Sequence, residues 1–185
     1  MKLYMKLYSL FDYHKYWLSY RNRIRNDNFD ANSERILDFK NGDENAIEYF
    51  TNVITNVFDE QWNGSYCAVV PSHDPNTLET PMHQVVDELC RRHRLGNDAH
   101  VLQRIKLIQK LSWGGNRSVG VHLDSIRIHP NSCVAGKNYL LFDDVKTTGN
   151  SLIACAHLLK NAGANEVTAI VLGTTVYEYE YANCG

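Results

Sequence analysis

Between residues 44 and 58 the apolar side chains Ala46, Ile47, Phe50, Val53, Ile54, Val57 and Phe58 recur at spacings of three and four. That period puts them on one stripe and predicts an amphipathic helix facing a core. The turn signal Asn41-Gly42 precedes it, and Asp43 is placed to cap it. Asn63-Gly64 then breaks the chain, and residues 66–70 (YCAVV) are apolar without interruption. A short continuous run of this kind predicts a strand covered on both faces. Residues 71–75 (PSHDP) stop it. Thr80-Pro81 next supplies a cap and a first-turn proline, and Val85, Val86, Leu89 and Cys90 form the stripe of a second helix that Gly96 ends.

The pattern is fainter elsewhere. Residues 13–25 are aromatic and then basic, with Lys15, Arg21, Arg23 and Arg25, and suit either a helix or an amphipathic hairpin with a solvated basic face. The doubled MKLY at residues 1–8 is too short to be a repeat unit, and an alternative start or a short strand accounts for it. Residues 100–102 and 122–128 read as extended, separated by Gly114-Gly115-Asn116. The last third is sharper. Residues 139–142 predict a strand, 151–161 a helix ended by Gly163, and 167–172 a second strand. Strand, helix and strand so close together predict a right-handed crossover between parallel strands. The fold class expected is α/β, an open and mostly parallel sheet flanked by helices. Residues 61–185 would be its core and residues 1–60 a small N-terminal hood.

Composition narrows the function classes. A chain of 185 residues with 44% hydrophobic residues supports a full core. A net charge of −2 provides no basic field for bulk duplex nucleic acid. No apolar run approaches the ~18 residues of a spanning helix, and the N-terminus lacks the apolar core of a secretory signal. Cytoplasmic location and no membrane partner are therefore expected. The cysteines Cys67, Cys90, Cys133, Cys155 and Cys184 form no CxxC pair, so reduced buried thiols are expected rather than a zinc knuckle. The eight histidines are scattered without an HxxxH or HExxH spacing, and no dedicated zinc site follows from them.

The chemistry concentrates between the last predicted strand pair. Asp143-Asp144-Val145-Lys146-Thr147-Thr148-Gly149-Asn150-Ser151 joins the strand to its helix. Two carboxylates at the C-terminal end of a parallel strand lie where open α/β sheets bind ligands. Thr147, Thr148, Gly149 and Ser151 precede a helix N-terminus, where free N–H groups and the helix dipole favour an anion. Helix capping and turn decoration explain a lone Thr-Gly-x-Ser or a lone Asp pair. A phosphate cradle beside acceptors for vicinal hydroxyls explains the two together, and the ligand that needs both is a sugar phosphate.

Residues 140–151 (LLFDDVKTTGNS) resemble the signature of the type I phosphoribosyltransferase family: an apolar strand, an acidic pair and a TTG phosphate loop. Lys146 and Asn150 stand where that family varies. The resemblance runs more loosely from about Ile36 to Thr175 and looks closest to the ComF-like branch, on Val70-Pro71 before a helix and Arg104-Ile105-Lys106 before the acidic motif. The N-terminal zinc-binding cysteines of many ComF proteins are missing. The resemblance implies that Asp143 and Asp144 hold the ribose 2′- and 3′-hydroxyls of phosphoribosyl pyrophosphate or a nucleotide. Mg²⁺ would bridge the ligand's hydroxyls and pyrophosphate, and residues 146–151 would cradle the 5′-phosphate. It makes Pro71, Ser72 and His73 the pyrophosphate loop. Arg104 and Lys106, with Arg117, fall in the stretch that closes over the site and neutralises pyrophosphate in relatives, and Trp113-Gly114-Gly115 suits its flap.

One departure divides the functional expectation. His73-Asp74-Pro75 offers no Lys or Arg, and Asp74 would repel pyrophosphate. A Mg²⁺-dependent transferase or hydrolase thus stands beside a ligand-sensing module without turnover, and beside an accessory protein of DNA uptake or bacterial defence. The base would meet residues 1–60, with 176–185 as a further candidate, where Tyr177, Tyr179 and Tyr181 alternate with glutamates as in an edge strand or a dimer contact.

Overall fold

The computed structural model describes residues 5–19, 22–109 and 118–177. Five parallel strands form the central sheet: β1 (Lys6–Tyr13), β4 (Tyr66–Val69), β5 (Gly96–Asn97), β8 (Asn138–Lys146) and β9 (Glu166–Thr175), in the order β1-β9-β8-β4-β5. Alternate residues of the inner strands point into separate cores, as period-two geometry requires. Cys67, Val69, Leu140, Phe142, Ile170 and Leu172 face the core under α1 (Ala31–Lys40), α2 (Glu44–Asn56) and α3 (Pro81–Arg92). Ala68, Tyr139, Leu141, Ala169 and Val171 face the core under α5 (Asn150–Asn161). The continuous apolar runs reflect this double covering. No described helix is long and apolar enough to cross a membrane.

Several boundaries move from their predicted places. Asp30 caps α1, which no periodicity announced, and Asp43 caps α2 through the Ala46 N–H. The residues after Tyr13 take the hairpin alternative, β2 (Trp17–Ser19) antiparallel to β3 (Ile24–Arg25). Helix α3 stops at Arg92 with His93 as its C-cap, ahead of Gly96. Gly96 instead pairs with Tyr66 in the sheet, where a Cβ would run into the Tyr66 ring. Leu102–Arg104 forms β6 rather than residues 100–102. Of residues 122–128, predicted extended, 122–125 belong to the short helix α4 (Val119–Ser125) capped by Ser118, and only β7 (Ile126–Ile128) is a strand, paired with β6. Cys67 and Cys155 are buried free thiols, Cys90 is half-buried and Cys133 is exposed.

Strand β1 lies beside β9 at the sheet edge, with Lys6 opposite Thr168 and Tyr13 opposite Thr175. Helix α1 packs on β1 and α2 on α3. Residues from the first forty positions therefore reach the C-terminal ends of β8 and β9.

Candidate functional site

Strand β8 carries the acidic pair itself. It runs through Asp143 and Asp144 to Lys146 instead of ending at Phe142, held to β9 by Asp143 opposite Val171 and Val145 opposite Gly173. The turn Thr147-Thr148-Gly149 follows. Gly149 is the N-cap of α5 at φ +80° and has no side chain to cap the helix, a backbone arrangement that suits an anion at a helix N-terminus. Thr147 Oγ1 lies 3.0 Å from Thr175 Oγ1 on β9, and the Asn150 N–H points to Thr148 Oγ1 at 3.4 Å.

These parts face a cleft of about 780 Å³ lined by Asp143, Asp144, Thr147, Thr148, Gly149 and Ser151 on one side. Pro71, Ser72 and His73, after β4, line it from another, so both predicted loops meet there. Lys146 and Asn150 are not among its lining residues. Asp74 accepts the Asn76 N–H within its turn at 2.9 Å and does not line the cleft either.

The acidic pair is electrostatically loaded. Asp143 Oδ1 accepts the Asp144 N–H at 2.9 Å, and its Oδ2 accepts the Ser151 hydroxyl at 3.2 Å. Burial, and then the adjacent Asp144 charge, push Asp143 up to about 7 despite Lys40 and these hydrogen bonds. Asp144 Oδ2 pairs with Lys40 Nζ at 3.3 Å. Burial works against the Lys40 ammonium, but Asp144, Tyr13 and Asp143 outweigh it and hold Lys40 above its ordinary value. Lys40 is the last residue of α1 and Tyr13 the last of β1, its ring centroid 5.9 Å from Nζ. Sequence reasoning passed over both. Nothing local marks a helix-terminal lysine as the counter-ion of a distant carboxylate.

Arg104 was expected to face pyrophosphate. The structure buries it, 7% exposed, with Nε donating to Ser72 O at 2.8 Å and Nη2 to Pro71 O at 3.3 Å. Its Nη1 donates to Ser125 Oγ at 2.6 Å, and Nη2 lies 3.5 Å from Nδ1 of buried His122, which lines the cleft. Lys106 is exposed beyond β6 and is not among the cleft's lining residues. Arg117, the Trp113-Gly114-Gly115 flap, Arg21, Tyr179, Tyr181 and Cys184 lie outside the described residues.

Residues 85–175 match the family model of the phosphoribosyl transferase domain. No curated protein matches the chain by sequence. Among solved structures the chain is similar to a hypoxanthine phosphoribosyltransferase from Staphylococcus aureus, at 13% identity over 79% of this chain and 76% of that one, with a TM-score of 0.41. It is also similar to a purine phosphoribosyltransferase from Pyrococcus horikoshii Ot3, at 15% identity over 74% and 82%, with a TM-score of 0.35. A phosphoribosylpyrophosphate synthetase from Mycobacterium smegmatis aligns at 18% identity and a TM-score of 0.40 over 72% of this chain, which spans about a third (34%) of that longer protein. The matched span takes in most of α3, the acidic pair on β8, the TTG turn and β9, and over that stretch the chain is similar to a phosphoribosyl transferase domain.

Proposed function

We propose that the chain binds phosphoribosyl pyrophosphate or a nucleotide in the cleft between the β8–α5 turn and the loop after β4. One observation carries this reading: the acidic pair and the glycine-opened N-terminus of α5 line the same cleft of about 780 Å³. The 5′-phosphate takes the amides of residues 147–151 with the Thr147, Thr148 and Ser151 hydroxyls. The ribose hydroxyls donate to Asp143 and Asp144. Lys40 pairs with Asp144 and balances its charge.

Asp143 and Asp144 offer oxygen donors only, and the burial that raises Asp143 is what a nearby divalent cation would offset. The pair thus fits Mg²⁺ held through the ligand's hydroxyls, where it would neutralise charge developing on departing pyrophosphate. In a transferase the carboxylates would face the positive charge that develops on the ribose, each such contact contributing ~2–4 kcal/mol. In the loop Pro71-Ser72-His73, Ser72 and His73 would meet pyrophosphate with their backbone N–H groups, while Arg104 acts as the positioning residue by holding the Pro71 and Ser72 carbonyls. Lys106 is the candidate cation for closure over it. Within the family we place the chain nearest the ComF-like branch, on Val70-Pro71 ahead of α3 and Arg104-Ile105-Lys106 ahead of β8. A cytoplasmic setting, with a homodimer or an accessory partner, accords with that placement.

A second reading is binding without turnover. It is favoured by the loop after β4, which carries no Lys or Arg, and by the guanidinium of Arg104, which serves the loop's own carbonyls. Calorimetric titration with phosphoribosyl pyrophosphate in Mg²⁺ tests the first claim. Saturable binding is expected, weakened by at least tenfold in the Asp143→Asn/Asp144→Asn double variant. Equal affinity in parent and variant, or none in either, overturns it. Pyrophosphate release with a panel of nucleobases then separates the two readings. Release supports a transferase, and its absence alongside binding supports the sensing module.

A further inference from the structure

The wall between the ribose-phosphate cleft and a second cleft of about 570 Å³ contains a cluster that the proposed function leaves unused. One carboxylate oxygen of Glu79, one ring nitrogen of His83 and one of His100 lie within 4.8 Å of one another. Glu79 and Thr80 lead into α3, His83 occupies its first turn, and His100 follows β5. Tertiary folding alone unites them. Glu79 lines the first cleft, while His83 and His100 line the second.

We propose that Glu79, His83 and His100 form a binding site for a divalent transition-metal ion of the zinc class, with water completing its coordination. Two imidazoles and one carboxylate match the preference of such ions for borderline nitrogen donors, and disfavour Mg²⁺ or Ca²⁺, which take oxygen. The parts are already near a bound arrangement. His100 Nε2 lies 3.2 Å from Glu79 Oε1, close to the separation of two ligands on one small ion. The His83 and His100 rings stack at 4.7 Å between centroids with 20° between planes. His83 is 5% exposed, so its ring is a fixed donor around which the other two can close. His100 and Glu79 are exposed and can close the remaining distance.

His83 already has a task, and that sets the character of the site. Its Nδ1 accepts the Thr80 N–H at 3.1 Å and lies 2.9 Å from Thr80 Oγ1, completing a capping box for α3. An ion at Nδ1 displaces that bond. An ion at the other nitrogen moves the ring proton onto Nδ1, where Thr80 Oγ1 accepts it. In both cases metal binding competes with the cap and links the loop of residues 71–80 to the β5–β6 connection. A metal clip on one wall of the ribose-phosphate cleft results, whatever that cleft binds.

The test uses the untagged full chain, stripped with a chelator and titrated with ZnCl₂ alone by calorimetry. One tight equivalent per chain is expected, together with a rise in melting temperature. His100→Ala and Glu79→Gln, both at exposed positions, should each weaken that equivalent about tenfold or more and abolish the thermal shift. His157→Ala, an exposed histidine on α5, should leave both unchanged. No stoichiometric binding overturns the proposal. So does equal affinity in the parent and in the His100 and Glu79 variants, because the ion is then held elsewhere.

Discussion

Asp143 has conflicting demands placed on it by one carboxyl group. It accepts a ribose hydroxyl most strongly when ionised, yet burial and Asp144 push it up to about 7. Its folded pKa exceeds the unfolded value of about 3.9, so its contribution to stability is greatest below pH 4 and is lost as pH rises through 7. Asp143→Asn removes that loss. The variant should gain stability over the parent, by on the order of 2 kcal/mol more at pH 8 than at pH 5, in urea melts at the two pH values. Ligand affinity should move oppositely, rising in the parent from pH 6 to 8 as Asp143 ionises. The variant isolates the ligand phosphate's own titration. Lys40 makes a separate prediction. The Lys40–Asp144 pair is about one-third exposed, so Lys40→Met should cost less than ~1 kcal/mol of stability. The same substitution should drive the Asp143 titration upward, as followed by carboxyl NMR, because Lys40 is one of the groups lowering it. An unmoved Asp143 would show that the two carboxylates do not share this counter-ion.

At the level of elements, the β8–α5 turn depends on the glycine that opens the helix. Gly149 holds φ +80°, and a Cβ there would also approach Lys146 Cε at 3.4 Å. Gly149→Ala should destabilise the chain by about 1–3 kcal/mol through backbone strain. It should also weaken binding of inorganic phosphate or ribose 5-phosphate, since the amides of α5 would be re-aimed. A stability loss with unaltered phosphate affinity would remove this turn from the phosphate site. This unit was legible in the residues because each part is local: apolar run, acidic pair, small hydroxyl residues, glycine, helix. Helix α1 was not. Its buried residues Ser33, Ile36 and Phe39 give a thin stripe, and its Asp30 cap resembles any turn aspartate. Residues 122–128 misled because three aliphatic positions, Leu123, Ile126 and Ile128, suit either state, and the Ser118 cap with packing against α5 selects the helix over residues 119–125.

For the whole molecule, Arg104 ties together pieces that sequence order keeps apart. Its guanidinium joins β6, α4 and the loop after β4 through Ser125 Oγ and the Pro71 and Ser72 carbonyls. Arg104→Met leaves those acceptors without their charged donor and should cost about 3–5 kcal/mol in urea unfolding. Arg104→Lys should rescue little, because a point ammonium cannot serve three diverging acceptors. Ligand linkage offers a global readout of the proposed function. Phosphoribosyl pyrophosphate at about 100-fold over its Kd should stabilise the parent by ~2.7 kcal/mol, raising Tm by about 5–10 °C. The Asp143/Asp144 double variant should show no such rise. The residues by themselves determined the α/β crossover, the doubly covered strands and the strand–turn–helix that carries the acidic pair and the TTG turn, since those depend on short-range period and on the order of a few neighbours. Tertiary structure alone decided that Lys40 would meet Asp144, that Arg104 would serve a loop's carbonyls, and that Glu79, His83 and His100 would converge. Those are contacts between side chains distant in sequence, and only the packing of the sheet and its helices sets which of them come within bonding distance.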